Sequence, residues 1–391
     1  MISVGINAAP LLAPRTGVGR YIAGLLAGLS RLSRPPGGPW RFQPLFATEA
    51  ALAAAASLHP TPAPGWSPLD TVRRLGKLLP GGYALADAAR AFALAALHRE
   101  GRLSVYHETN HAAPPFAGPV VLTVHDLSTL RFPQTQDAAR ARHFGQALRE
   151  KARLAARVIV PTAAIGAEVA AELSVAKERI VVAHHGLEPR FSPGPALVPP
   201  SLTGRAVRSP YLLFVGAEDG RKGLIDLLDA YDALPAAVRG EHALVLAGPR
   251  GTASAAIEAR LARSREGSIV RLGFVPDADL PGLYRGAAAL CLPSRYEGFG
   301  LPLAEGLACG VPCVASDDPA LVEVAAGAAL HAPRGDAQAL AGQLERALTD
   351  AALRADLANR GPARAAAFTW EGSALIHVRA YLAALGALVA S

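Results

Sequence analysis

Three cysteines, one methionine and three tryptophans are all that 391 residues hold of those types, and the shortage removes several classes of protein. Cys291, Cys309 and Cys313 are odd in number, fall in the C-terminal half, and have neither C-x-x-C spacing nor a neighbouring histidine cluster. Three small buried thiols are expected rather than a disulfide framework or a metal site. Long apolar runs are also missing. The most apolar stretch, 83-YALADAARAFALAALH-98, is broken by Asp87 and Arg90 and is shorter than the roughly 20 residues a membrane span needs. The start, MISVGINAAPLLAPRTG, has no basic region before an apolar core and no small-residue cleavage site, so a cytoplasmic location is expected. There is no Walker A sequence. In 15-RTGVGRYIAGLL-26 the third glycine position after Gly17 and Gly19 is Ile22, so this turn is not a dinucleotide fingerprint.

What remains is a chain that is 51% apolar, rich in Ala and Leu, and long enough for two or three units of about 100–200 residues. Its net charge of +7 is unevenly shared: residues 1–208 carry 23 Lys and Arg against 12 Asp and Glu, and the remainder 16 against 20. The arginines of the basic half are scattered or at helical spacing, without the aromatic or helix-turn-helix features of a nucleic-acid reader. A phosphorylated substrate or an anionic membrane surface is the better partner, and nucleic acid is not expected. Arg73, Arg74 and Lys77, in 71-TVRRLGKLLP-80, precede the apolar stretch and suit a peripheral membrane contact.

Short apolar runs that end in Gly, polar or His residues read as buried parallel strands. One series comprises residues 2–7, 104–108, 120–126, 157–162 and 180–186; a second comprises 211–216, 243–248, 269–275, 288–294 and 311–317. With helical patterns between them, the prediction is α/β: two doubly wound, Rossmann-like domains facing a central cleft. Residues 1–195 form the first, 196–209 a Pro-, Ser- and Gly-rich linker and 210–370 the second; 371–391 form a helix that crosses back to the first.

The chemistry concentrates in 294-SRYEGFGLPLAEGLACGVPCVASD-317. Glu297 and Glu305 lie eight residues apart, separated by Gly298, Gly300 and Pro302. A glycine turn followed by a proline-started helix leaves the amides of Phe299, Gly300 and Leu301 to face an anion, with Glu305 in the first helical turn. In 214-FVGAEDGRKGLIDLLDAY-231 a strand ends at Gly216, and Arg221 and Lys222 precede a helix, which suits a diphosphate. The strand VVLTVHD ends in His125 and Asp126, where α/β proteins place ligand contacts.

These residues resemble the retaining, nucleotide-sugar-dependent glycosyltransferases of family 4, which have the two-domain GT-B fold. The resemblance covers essentially the whole chain. It is carried by the E-x7-E pattern of Glu297 and Glu305, by LGFVPDADLPGLYRGAAALCLPSRYEG before it, and by FVGAEDGRKGL, TVHDLSTLRFP and TGVGRY. It implies that the second domain holds the donor: Glu305 the ribose hydroxyls; Arg221, Lys222 and the amides near Gly300 the diphosphate; Gly216 and Val275 further parts of the pocket. Glu297 then sits by the transferred sugar. His125 contacts the sugar or its phosphate from the other domain, and the Gly17–Gly19 turn closes over the diphosphate. His125, Glu297, Arg221 and Lys222 form the implied catalytic set, and Asp126 belongs to the acceptor side.

The resemblance implies no cofactor and no metal, because an Asp-x-Asp cluster is absent where the other common transferase fold needs one. GDP-mannose is the first donor to consider, then UDP-sugars. The acceptor is expected to be a glycan or a polyprenyl-diphosphate-linked sugar of surface polysaccharide biosynthesis. Two departures from the pattern are Ala217, where many members place a basic residue, and Pro161-Thr162, where they place a serine. Two carboxylates also suit a glycosidase, but hydrolysis of a plain glycoside needs no diphosphate site. A sugar-nucleotide epimerase and a non-catalytic sugar-nucleotide binder stay open as alternatives.

Overall fold

A computed structural model of the chain describes residues 1–12, 17–32, 39–57, 82–110, 113–135, 138–196, 199–204, 207, 210–263 and 269–386. The first six strands in chain order are β1 (Ile2–Asn7), β2 (Trp40–Leu45), β3 (Val105–Glu108), β4 (Val120–Thr123), β5 (Arg157–Val160) and β6 (Ile180–Val182). They form one parallel sheet in the order β2-β1-β3-β4-β5-β6. A second parallel sheet, β12-β11-β10-β7-β8-β9, is built from β7 (Tyr211–Val215), β8 (Leu244–Ala247), β9 (Ile269–Gly273), β10 (Ala287–Leu292), β11 (Cys313–Ser316) and β12 (Leu330–Ala332). Most inner strands are largely buried apolar runs, as a sheet covered on both faces requires; β3 departs from this, burying Tyr106, His107 and Glu108 after Val105.

Seven of the helices flank the cleft or brace the sheets beside it: α1 (Gly17–Leu32), α2 (Gly82–Arg99), α3 (Ala163–Leu173), α4 (Leu224–Ala233), α5 (Leu301–Ala308), α6 (Pro319–Ala325) and α7 (Trp370–Ala384). The last follows the second sheet in sequence yet packs on the first. Trp370, Ala374, Ala380 and Tyr381 are buried against Tyr21, Ile22 and Leu25 of α1 and against β1. An ideal Cβ on Gly24 would lie 2.0 Å from the Trp370 ring, so α1 and α7 approach at a distance only glycine permits.

Two of the four edge strands, β2 and β12, are absent from the sequence prediction. β2 carries Arg41 and Pro44 and β12 has three residues, so neither shows an apolar run; proline is tolerated at a sheet edge because no ladder bond is lost on its open side. The three cysteines are buried free thiols, and burial pushes Cys309 up to about 12. Among the described residues no helix is long and apolar enough to cross a membrane. Leu94 of α2 is fully buried in a small cluster with Leu103 and Tyr106, while Phe92 faces outward.

Candidate active site

Both sheets direct their carboxyl ends into the cleft between them, and the loops there touch. After β10 the chain turns through Glu297 and Gly298 and enters α5 from Gly300, which adopts a left-handed φ of 82°. No side chain caps this helix, and Pro302 sits in its first turn. The first-turn amides therefore have no partner within the helix. The loop is pressed against the first domain. An ideal Cβ on Gly298 would lie 2.0 Å from the carbonyl oxygen of His125, and the Thr162 hydroxyl donates to the Gly298 carbonyl at 3.0 Å. A glycine is thus required at 298 by close approach rather than by its own dihedral.

Glu297 is buried and well supplied with donors. Lys222 Nζ donates to its Oε1 at 2.6 Å and Ser294 Oγ to the same oxygen at 2.7 Å, while Arg221 Nη1 lies 3.9 Å from Oε2. Burial opposes the carboxylate charge, but Lys222 and Arg221 outweigh it and hold the Glu297 pKa below its usual value. Burial lowers the pKa of Lys222 in spite of Glu297. The two cations are presented by a single 3-10 turn, Gly220–Lys222, closed by Gly223 at φ 66°. A Cβ on Gly223 would strike the Pro293 carbonyl at 2.0 Å, so this turn and the loop after β10 interlock. Arg295 N donates to the Arg221 carbonyl at 2.8 Å and completes the join.

Glu305 lies one turn deeper than the sequence places it. Because α5 begins at Leu301, Glu305 is the fifth helical residue, fully buried and outside the first turn. Tyr284 donates to its Oε2 at 2.7 Å, and Arg20 of α1 pairs with its Oε1 across the cleft. Burial raises the Glu305 pKa against the pull of Arg20 and Tyr284. The glutamates of the pattern are thus paired separately, Glu297 with Lys222 and Arg221 of its own domain and Glu305 with Arg20 of the other.

On the first-domain side, His125 Nε2 donates to the Thr109 carbonyl at 3.0 Å and its ring meets Tyr21 edge-on, with 4.8 Å between centroids. Asp126 accepts from Ser128 N at 2.8 Å, so it orders the following turn, and its charge also acts on Arg221 across the cleft. Gly17 and Gly19 occupy the first turn of α1, and Leu301 Cδ1 lies 3.9 Å from the ideal Cβ position of Gly17. Gly216 directly follows β7, and its amide donates to the Ala247 carbonyl at 2.9 Å. Val275 is buried two residues after β9. The Phe299 side chain points into a packed cluster with His185, centroids 4.9 Å apart, and Phe368, 5.3 Å apart; any contact from this residue to a ligand is therefore through its backbone. Arg73, Arg74 and Lys77 lie outside the described residues.

Sequence reasoning missed Arg20, Tyr284 and Tyr296. Arg20 stands directly after Gly19 in TGVGRY, where the glycines draw the functional reading. Tyr296 adjoins Glu297, and its hydroxyl accepts from Leu127 N at 2.8 Å and donates to Glu168 Oε2 at 2.7 Å, tying the site loop to the first domain. A second tie comes from Glu323 of α6, which accepts from Ala163 N at 2.8 Å and Ala164 N at 3.0 Å at the start of α3.

The comparisons with known proteins agree with this architecture. The family model described as Glycosyl transferases group 1 matches residues 203–364, and that described as Glycosyltransferase Family 4 matches residues 46–191. The O-antigen chain mannosyltransferase B of Escherichia coli is 32% identical over 316 residues, covering 80% of this chain and 82% of that protein. Sucrose-phosphate synthase from Thermosynechococcus elongatus superposes with a TM-score of 0.72 at 21% identity, covering 97% of this chain and 98% of that one. The Anabaena protein HepE, in complex with UDP and glucose, superposes with a TM-score of 0.69 at 17% identity, covering 97% and 99%. The chain belongs to the GT-B glycosyltransferases of family 4.

Proposed function

We propose that the protein is a retaining, metal-independent mannosyltransferase that takes the sugar from GDP-mannose and gives it to a glycan or lipid-linked acceptor in surface polysaccharide biosynthesis. The observation that carries this reading is the half-buried Arg221–Lys222 pair gathered on the buried Glu297 beside a helix whose first turn is uncapped. Two cations and free amides in a water-poor cleft stabilise a departing diphosphate more than they do in water. The choice of mannose is supported by the likeness to the Escherichia coli mannosyltransferase.

In this reading the bond between the anomeric carbon and the diphosphate oxygen breaks with both electrons going to oxygen. The acceptor hydroxyl attacks from the same face, and its proton passes to the leaving phosphate. Lys222 and Arg221 exchange part of their hold on Glu297 for the diphosphate, which leaves the Glu297 carboxylate beside the positively charged sugar. The Gly298–His125 contact keeps the two halves of the cleft in register while this happens.

The test is a panel of nucleotide sugars with and without synthetic polyprenyl-diphosphate acceptors, reading nucleoside diphosphate release and product anomeric configuration by NMR, with and without a chelator. Release of GDP dependent on acceptor, an α-linked product and indifference to chelator are expected. Donor rearrangement without acceptor would instead identify an epimerase, and binding without turnover a sugar-nucleotide binder.

A further inference from the structure

Arg20 and Glu305 lie on different domains. Arg20 is held in place by its neighbour: Tyr21, fully buried, hydrogen-bonds Thr123 at 2.9 Å and His377 at 2.8 Å, so the rotation of α1 is fixed and Arg20 is aimed into the cleft. Its guanidinium lies 5.4 Å from the centre of the Phe191 ring, and Arg190 lies 5.0 Å from the same ring. Around them stand the carboxylates of Glu305, Asp277 and Glu188. The hydrogen bonding in this cluster is incomplete. Arg20 Nε and Arg190 Nε are buried with no hydrogen-bond acceptor among the described residues. Buried donors without acceptors are costly, and a ligand bearing hydroxyl or phosphate oxygens would supply them.

We infer that in the donor-free enzyme Arg20 occupies the ribose subsite of Glu305, latching the two domains together, and that a nucleotide sugar binds by exchanging its ribose diol for the Arg20 guanidinium. The inference rests on the reading of Glu305 as the ribose acceptor. Glu305 is fully buried, and its Oε2 is already engaged by Tyr284. With Glu305 fully buried and the Arg20 guanidinium paired against Oε1, the guanidinium fills the space through which a ribose diol would reach that oxygen. Donor entry therefore requires Arg20 to withdraw, and its withdrawal removes a cross-domain ion pair. Donor binding and domain opening become one equilibrium. A latch closed about nine-tenths of the time lowers the apparent affinity about tenfold, because only the open fraction is competent. Arg20 is a positioning residue in this scheme: it acts through Glu305.

The experiment compares wild type with Arg20→Met, which keeps length and loses the charge, using guanosine and uridine as uncharged probes in NMR titrations. Uncharged nucleosides isolate the ribose exchange from any contact of the freed guanidinium with phosphate. The nucleoside that binds wild type is expected to bind Arg20→Met about tenfold more tightly. Unchanged or weaker binding overturns the latch. Should Arg20→Met not fold, Arg20→Lys replaces it and must shift affinity in the same direction. If neither nucleoside binds wild type, the donor reading itself falls, and small-angle scattering of the ligand-free proteins then decides the latch alone. A larger radius of gyration for the variant sustains it, and an equal one overturns it.

Discussion

Lys222 Nζ sits 2.6 Å from Glu297 Oε1, both side chains nearly closed off from solvent, although 75 positions separate them in the chain. The pair has two consequences. Without donor, the lysine favours the ionised glutamate; in the proposed function, the same ammonium turns to the leaving diphosphate. Lys222→Ala should therefore weaken nucleoside diphosphate binding by about 1.5–3 kcal/mol, the range for a charge-assisted contact, while nucleoside binding changes little. Calorimetry with GDP and guanosine checks it, and equal losses for the two ligands would move the diphosphate elsewhere.

Glu305→Gln keeps the shape of the side chain but takes from Arg20 its nearest counter-charge. Breaking one side of a buried pair costs about 3–5 kcal/mol. A lowered Tm and a raised donor KM are expected together. The double variant Arg20→Met, Glu305→Gln should regain most of the lost stability while donor KM stays high, because the orphaned charge is gone and the ribose contact is not restored. A double-mutant cycle by chemical denaturation measures the coupling directly.

Gly298→Ala places a methyl group where the His125 carbonyl already lies. The backbones must separate by an ångström or more, and a displacement of that size costs about a hundredfold in rate when it misaligns reacting groups. Steady-state kinetics should show kcat/KM reduced by about that factor, with each domain folded as before by circular dichroism. Unimpaired turnover would mean the contact is not kept during catalysis.

A pH effect is expected from the hydrogen-bonded chain that runs from α7 through the first sheet and back. Tyr381 meets His107 at 2.8 Å, His107 meets Thr123 at 2.8 Å, Thr123 meets Tyr21 at 2.9 Å, Tyr21 meets His377 at 2.8 Å, and His377 Nδ1 donates to the Ser373 carbonyl at 2.7 Å. Every link is satisfied when both imidazoles are neutral. Burial lowers the His377 pKa to about 4 and that of His107 well below its ordinary value. The unfolded chain therefore binds protons that the folded one refuses. This contribution is fully present above about pH 6.5 and is lost as pH falls towards 4, at about 1.4 kcal/mol per pH unit for each histidine. Denaturation of His377→Gln against wild type across that range should show the wild type losing stability faster. Glu108 works in the opposite sense: burial raises its pKa to about 7 despite donors from Asn7 and Tyr106, so Glu108→Gln should gain on wild type as pH rises from about 4.5 to 7.

Taken by itself, the sequence determined what depends on neighbouring residues. Ten of the twelve strands are legible because each is or contains a short apolar run, and such a run is local. The Gly298–Gly300 turn, the proline-started helix behind it and the Arg221–Lys222 turn are legible for the same reason, since dihedral freedom and helix initiation are properties of a few adjacent residues. Edge strands β2 and β12 escaped because one open side relaxes the demand for apolar residues. Only the tertiary structure decided which charge answers which. That Lys222 and Ser294 hold Glu297, that Arg20 reaches Glu305 from the other domain, and that His107 of β3 and His377 of α7 share one hydrogen-bonded chain all depend on side chains meeting after two sheets and α7 have packed. No periodicity records such meetings. They are set by burial, which makes an unpaired charge or donor costly and so favours packings in which most find a partner.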